Sequence, residues 1–278
     1  MPRWTVDAPR TIDLDDVVAL RVRLISGTVA VLSTGERPCL DVGKLAGQPL
    51  LVSHEAGILT VTYEDLSWEG LLGWLRPAQH LAAVTITVPR DCPTQVGVVN
   101  ASAVVSGIAG RTSLKSVSGR ITLDVVTGPV DADTLSGDVE AQGLDGRIAF
   151  KSVSGDLTVA DGSVEQLDAK TVSGRVTADL DLASGAAVRV ATLSGDVTIR
   201  LPASASTEVD LRSTAGRVQS DFSGLQASRS PGASSLTGSL GAGSGRVSVT
   251  TVSGRVTLLE GEGREAAPGG AAPAGDAR

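Results

Sequence analysis

The chain has almost no aromatic bulk. Phe, Trp and Tyr make up 2% of its 278 residues, against 41% apolar residues and 33 glycines. That excludes the bulky core of an ordinary enzyme and suits a narrow core of Val, Leu, Ile and Ala. Periodic glycine with this apolar content argues for a repeat fold rather than disorder. A basic surplus is missing too. The net charge is −7, whereas a nucleic-acid binder needs a basic face to displace counterions. Among the cations, Arg greatly outnumbers Lys. Cys39 and Cys92 are the two cysteines and form no CxxC. They read as reduced spectators, with a disulfide or metal role as the alternative.

Other absences narrow the reading further. No apolar run approaches the roughly 20 residues that span a bilayer. The opening MPRWTVDAPRTIDLDD lacks the apolar region of a secretory signal, so the expected location is cytoplasmic, with peripheral membrane attachment left open. There is no GxSxG, GxGxxG or P-loop. His54 and His80 lack metal-ligand spacing. No residue is therefore assigned a catalytic, cofactor-binding or metal-binding role.

What is present is a repeat. Residues 115–159 read KSVSGRITL, DVVTGPVDA, DTLSGDVEA, QGLDGRIAF and KSVSGDLTV, nine-residue units with Gly119, Gly128, Gly137, Gly146 and Gly155 in fifth place. Alternate residues of a strand share a face. Positions three, five, seven and nine (Val117, Gly119, Ile121 and Leu123 in the first unit) are therefore expected to point inward together. Nine is odd, so the alternation must reset between units, and positions one and two, such as Lys115-Ser116, are the expected corners. Later Ser-Gly pairs at Gly137, Gly155, Gly174 and Gly195, followed by Ala215-Gly216, lie 18 to 21 residues apart. This spacing predicts an all-β, β-solenoid or β-helix-like fold with about 18–21 residues and two strands per turn. Residue six would then stack as Arg120, Asp138, Asp156, Arg175, Asp196, Arg217, mostly with alternating sign. Position one gives a second column, Lys115, Asp133, Lys151, Lys170.

The expected organisation follows. Residues 1–19 form an irregular lead, 20–96 an irregular β-repeat section, 97–260 the regular section, and 261–278 a disordered tail. Two stretches interrupt the pattern. Residues 220–243 are Gly/Ser-rich and expected to form a flexible loop. Residues 64–80, EDLSWEGLLGWLRPAQH, carry two of the three tryptophans. Their apolar positions Trp68, Leu71, Leu72, Trp74 and Leu75 read either as a cap over an open end of the core or as an apolar element that docks on a protein partner or membrane surface.

Ile25-Ser26-Gly27-Thr28-Val29, the strand Val84-Thr85-Ile86-Thr87-Val88-Pro89 and the Ser-Gly-Arg/Asp-Val/Ile/Leu units from Ser118 onward carry a resemblance. Up to about residue 260 the chain resembles the bacterial putative-adhesin family of β-strand repeat proteins, a domain of unknown function. The resemblance implies a β-solenoid-like fold and, for some members, a link to envelope stress responses. It supplies no catalytic residues.

Two chemistries were weighed against the repeat. Calcium-binding β-rolls need carboxylates in a ligand column, and arginine in column six opposes a cation row. A carbohydrate-active β-helix enzyme needs a carboxylate pair in a cleft. Asp124, Asp131, Asp133 and Asp138 are close in sequence but fall on expected outward positions, with no aromatic platform. The functional expectation is a non-enzymatic interaction or scaffold module. A self-assembling protein that stacks through exposed solenoid ends is the alternative, and the enzyme is a more distant one.

Overall fold

The computed structural model describes residues 2–63, 80–230 and 232–261, and every regular element among them is a β-strand. The nine-residue units do not pair with their immediate neighbours. Strand β9 (Thr112–Ser116) lies parallel to β11 (Val130–Thr134), which lies parallel to β13 (Asp145–Ser152). Strand β10 (Ile121–Asp124) pairs with β12 (Val139–Gln142), and β12 with β14 (Leu157–Thr171). Thr112 therefore meets Val130, and Val130 meets Ile148, so each step advances 18 residues. Successive units occupy two sides of one stack of layers.

A third, shorter side corrects the expectation of two strands per turn. Thr127 bridges Asp145, Asp145–Gly146 pair with Ser163–Val164, and Gly162–Val164 pair with Leu180–Leu182. Residues 125–129 are more than a corner needs. They bring Val126, and in the layers above it Leu144 and Val164, into the core.

The inward and outward positions also differ from the expectation. Strand β9 buries Thr112, Leu114 and Ser116, so its alternation runs through to Ser116 and leaves Val117 outside. The chain turns at 117–120, not at Lys115-Ser116. The buried hydroxyl makes that turn, because Gly119 donates its N–H to Ser116 Oγ at 2.9 Å. The same bond recurs from Gly155 to Ser152 at 2.7 Å, from Gly174 to Thr171 at 3.0 Å and from Gly195 to Thr192 at 2.9 Å. A buried N–H without an acceptor costs about 1–3 kcal/mol. Thr192→Ala is therefore expected to lose about that much stability in urea unfolding, and Thr192→Ser to lose much less.

The order of the layers departs from chain order near the end. Strand β15 (Val176–Thr192) and strand β16 (Val197–Pro202) are followed in space by β21 (Gly245–Thr251) and β22 (Val256–Gly261). Strands β17 (Thr207–Ser213) and β18 (Val218–Ser220) then pair on the far side of β21 and β22. Residues 245–261 are thus inserted between two layers that precede them in sequence. In the residue-six column, the neighbour of Asp196 is Arg255, with Arg217 beyond it, not Arg217 directly.

The charges of that column pair differently as well. Arg120 bridges Glu140 at 3.5 Å, while Asp138, Asp156 and Asp196 turn one carboxylate oxygen onto the backbone N–H of the adjoining layer. A carboxylate satisfied by the backbone has no need of the arginine below it.

Antiparallel strands close both ends of the stack. Strands β6 (Ile58–Thr62) and β7 (His80–Val88) pair in parallel with β3 (Ala19–Ser33), which pairs with β8 (Thr94–Ser106). Strands β5 (Leu50–Glu55) and β4 (Cys39–Gly47) then add antiparallel, and β1 (Arg3–Val6) and β2 (Arg10–Asp13) lie outermost. The stretch expected to be an irregular lead therefore holds two strands, because Val6, Ile12, Leu14 and Val17 have core to cover. At the other end the stretch expected to be a flexible loop forms β19 (Gln226–Ser230) and β20 (Ala233–Leu240), an antiparallel pair against β17 that buries Leu236 and Leu240. The outermost strands are short, and β19 is exposed and polar throughout. Short polar edges oppose edge-to-edge pairing.

Candidate functional site

The corner at 117–120 repeats through the stack, and five copies place one aliphatic side chain outside. Leu135 is 52% exposed, Val153 45%, Val172 45%, Leu193 53% and Val252 44%, while Val117 is half-buried. Of the eight large hydrophobic side chains exposed among the described residues, these are five; Val18, Val104 and Val125 are the others. Scattered exposed aliphatics are ordinary on a protein surface, whereas a contiguous set marks an interaction surface.

The backbone fixes the row. Ser136 donates its N–H to Val117 O at 2.8 Å, Ser154 to Leu135 O at 3.0 Å, Ser173 to Val153 O at 2.9 Å, Ser194 to Val172 O at 2.9 Å and Ser253 to Leu193 O at 3.1 Å. The serine hydroxyls bond the same carbonyls, so a row of serines ties layer to layer. At about 4.8 Å per layer, the six residues from Val117 to Val252 form a line about 24 Å long.

Charge flanks the line on both sides. Two residues before the corner stands the column Lys115, Asp133, Lys151, Lys170, in direct register. Three of the four lysines in the whole chain belong to it. Lys170 bridges Asp168 of its own strand at 3.4 Å. Arginines elsewhere pair with acids of the adjoining layer, as in Arg111 with Asp131, Arg147 with Glu165 and Arg200 with Asp179. Immediately after the corner Gly run Arg120, Asp138, Asp156, Arg175, Asp196 and Arg255, with the acids bonded to backbone as described.

The residues singled out in the sequence fall as follows. Trp68, Leu71, Leu72, Trp74 and Leu75 lie outside the described residues. The residues on either side of that stretch are placed. Val61 stands against Val22, Val22 against Val96 and Val96 against Leu114, so Tyr63 continues the column of Val98 and Ser116. Leu81 stands against Ser26, and Ser26 against Asn100, which is level with Ser118 inside the corner. Tyr63 and His80, the described residues on either side of 64–79, therefore both stand at the corner that carries the apolar row. Tyr63 and His80 meet there edge to face with ring centroids 4.8 Å apart, and burial pushes the Tyr63 hydroxyl up to about 12.

Three of the four clustered carboxylates are engaged in the structure, and Asp133 stands in the lysine column. Asp131 binds Arg111, Asp124 accepts from Ser106 Oγ at 3.0 Å, and Asp138 accepts from the Asp156 N–H. His54 Nε2 lies 2.8 Å from Asp16 O. Cys39 and Cys92 are both free thiols, and burial, helped by Asp91, pushes Cys92 up to about 11. Among the described residues no group of His, Cys, Asp and Glu could hold a metal ion, and no helix is long and apolar enough to cross a membrane.

The apolar row was missed because position three was read as inward. The buried alternation Thr112, Leu114, Ser116 leaves residue 117 on the outer face, and the bend that sets this parity is made by the buried Ser116 hydroxyl.

Comparison with known proteins agrees with this architecture. No curated protein matches the chain in sequence. Among solved structures, a putative adhesin from Bacteroides fragilis NCTC 9343 is similar at 12% identity, with 91% of this chain and 98% of that one covered and a TM-score of 0.50. A putative lipid binding protein from Parabacteroides distasonis ATCC 8503 matches at 12% identity, 93% and 98% coverage and a TM-score of 0.45. A putative cell adhesion protein from Clostridium sporogenes ATCC 15579 matches at 13% identity, 91% and 100% coverage and a TM-score of 0.29. The family model described as Toastrack DUF4097 matches residues 49–259. The match covers most of the sequence, and the chain belongs to the Toastrack DUF4097 family.

Proposed function

We propose that the stacked layers form a β-solenoid that serves as a non-enzymatic interaction or scaffold module. The observation that carries this reading is the line Leu135, Val153, Val172, Leu193, Val252, exposed at one corner of the stack. The stack holds that line rigid, because every residue in it has its backbone in the interlayer ladder. Trp68, Leu71, Leu72, Trp74 and Leu75 belong to the same docking apparatus in this reading, since Tyr63 and His80, on either side of their stretch, stand at that corner. The four-residue outermost strands at one end and the exposed strand β19 at the other give self-assembly through the ends no support.

The double variant Trp68→Ala/Trp74→Ala tests the tryptophan element. Loss of liposome flotation or partner pull-down at an unchanged melting temperature is expected for a docking element. Equal binding with a lower melting temperature would assign the tryptophans to a cap instead.

A further inference from the structure

We infer that the surface fitted by this corner is an anionic lipid bilayer. The inference rests on the interaction-module reading and names the partner of that same site. Its first support is the choice of cation. The chain uses Arg almost everywhere, yet three of its four lysines stand in one column beside the apolar line. Lysine is depleted from protein–protein interfaces. At a membrane interface its hydrocarbon stem lies along apolar surface while the ammonium reaches the headgroups.

The second support is shape. Five half-exposed aliphatic tips on a convex corner offer far less than the ~800 Å² per partner that a stable protein dimer buries. A fluid bilayer needs no complementary groove. A straight line of tips about 24 Å long can enter its surface along the whole length.

The third support is the distribution of charge. Asp138, Asp156 and Asp196 are hydrogen-bonded to backbone N–H groups, while Arg120, Arg175 and Arg255 are exposed beside them. The two columns beside the line together hold six cations, Lys115, Lys151, Lys170, Arg120, Arg175 and Arg255, against four carboxylates, Asp133, Asp138, Asp156 and Asp196, a surplus of two cations, although the whole chain carries −7. Anionic lipid attracts this edge and repels the rest of the molecule, which fixes one orientation on the membrane.

Co-sedimentation of the full chain with vesicles tests the inference, comparing phosphatidylcholine alone with phosphatidylcholine containing one third phosphatidylglycerol. Wild type is expected to bind only the anionic vesicles, and more weakly as salt rises. The variant Leu135→Asn/Val172→Asn/Leu193→Asn should weaken binding by roughly tenfold or more, and Lys115→Gln/Lys151→Gln/Lys170→Gln by a similar factor. All six positions are exposed, so circular dichroism and melting should stay close to wild type. Wild type that ignores anionic vesicles overturns the inference. So does an asparagine variant that binds like wild type, including the case in which only the lysine variant loses binding. If Trp68→Ala/Trp74→Ala alone abolishes binding, the corner line is not the docking surface, yet the interaction-module reading survives. If vesicles are ignored while the corner variants lose a protein cross-linked in cells, the bilayer is replaced by that protein and the same reading again survives.

Discussion

Replacing Gly174 with Ala should cost at least about 4 kcal/mol, the range reserved for severe core lesions. The column Gly119, Gly137, Gly155, Gly174, Gly195, Gly254, Gly216 brings backbone against backbone. A Cβ on Gly174 would run into the carbonyl oxygen of Gly155, and also into Thr171 Oγ1. Gly119 meets Ala101 O, Gly137 meets Gly119 O, Gly155 meets Gly137 O, Gly195 meets Gly174 O, Gly254 meets Gly195 O and Gly216 meets Gly254 O in the same way. None of these glycines has a left-handed φ, so the requirement is space rather than conformational freedom. The neighbour is a carbonyl held in the parallel ladder, and it cannot swing aside as the end of a long side chain can. Accommodating one methyl group means parting two layers along the whole corner. Urea unfolding measures the loss directly. A Gly174→Ala protein within about 1 kcal/mol of wild type would show that the layers do not pack backbone to backbone.

Phe150→Ala should lose about 3–5 kcal/mol. The ring is fully buried in a core of small aliphatics. Its column runs Leu114, Ala132, Phe150, Ala169, Val190, so the ring fills the space two flanking alanines leave open. Large beside small is how adjoining layers keep a fixed spacing while the core width stays constant. Removing the ring leaves three alanines in successive layers. The layers are held apart by their hydrogen bonds and cannot collapse into the void. Phe150→Leu refills most of the volume and should recover more than half of the loss in the same measurement. Equal losses for Ala and Leu would mean that the ring's shape, not its volume, sets the cost.

These particulars show where the sequence was legible. The two-unit register was readable because a strand repeats its side-chain pattern every two residues, and the glycines marked each return to one corner. The facing of residue 117 was not, because parity inside a nine-residue unit depends on where the chain bends. A buried Ser116 hydroxyl decides that. Layer order was unreadable for a different reason. Thr192, Thr251 and Ser213 are near-equivalent at one site, as are Val197, Val256 and Val218 at another. Each position encodes a side chain suited to any layer, so nothing local says which layer is outermost. The 226–240 pair was hidden by its composition, since only Leu236 and Leu240 carry core contacts in a Gly/Ser-rich stretch. For the candidate site, the lysine column and the aliphatic position were both visible as columns. Their meeting on the outside of one corner was not.

The inserted layer has a consequence for how the chain is made. Synthesis delivers Thr207–Ser220 and the following hairpin before Gly245–Gly261 exists. During that interval β17 can form its parallel ladder only on β15, where Ser213 would meet Thr192 and Arg217 would meet Asp196. The finished protein has neither contact. Reaching it means that residues 245–261 either displace an early pairing or arrive while β17 is still waiting. Strands β21 and β22, made after β17 and β18, thus act as a wedge, and these layers cannot be added purely in chain order.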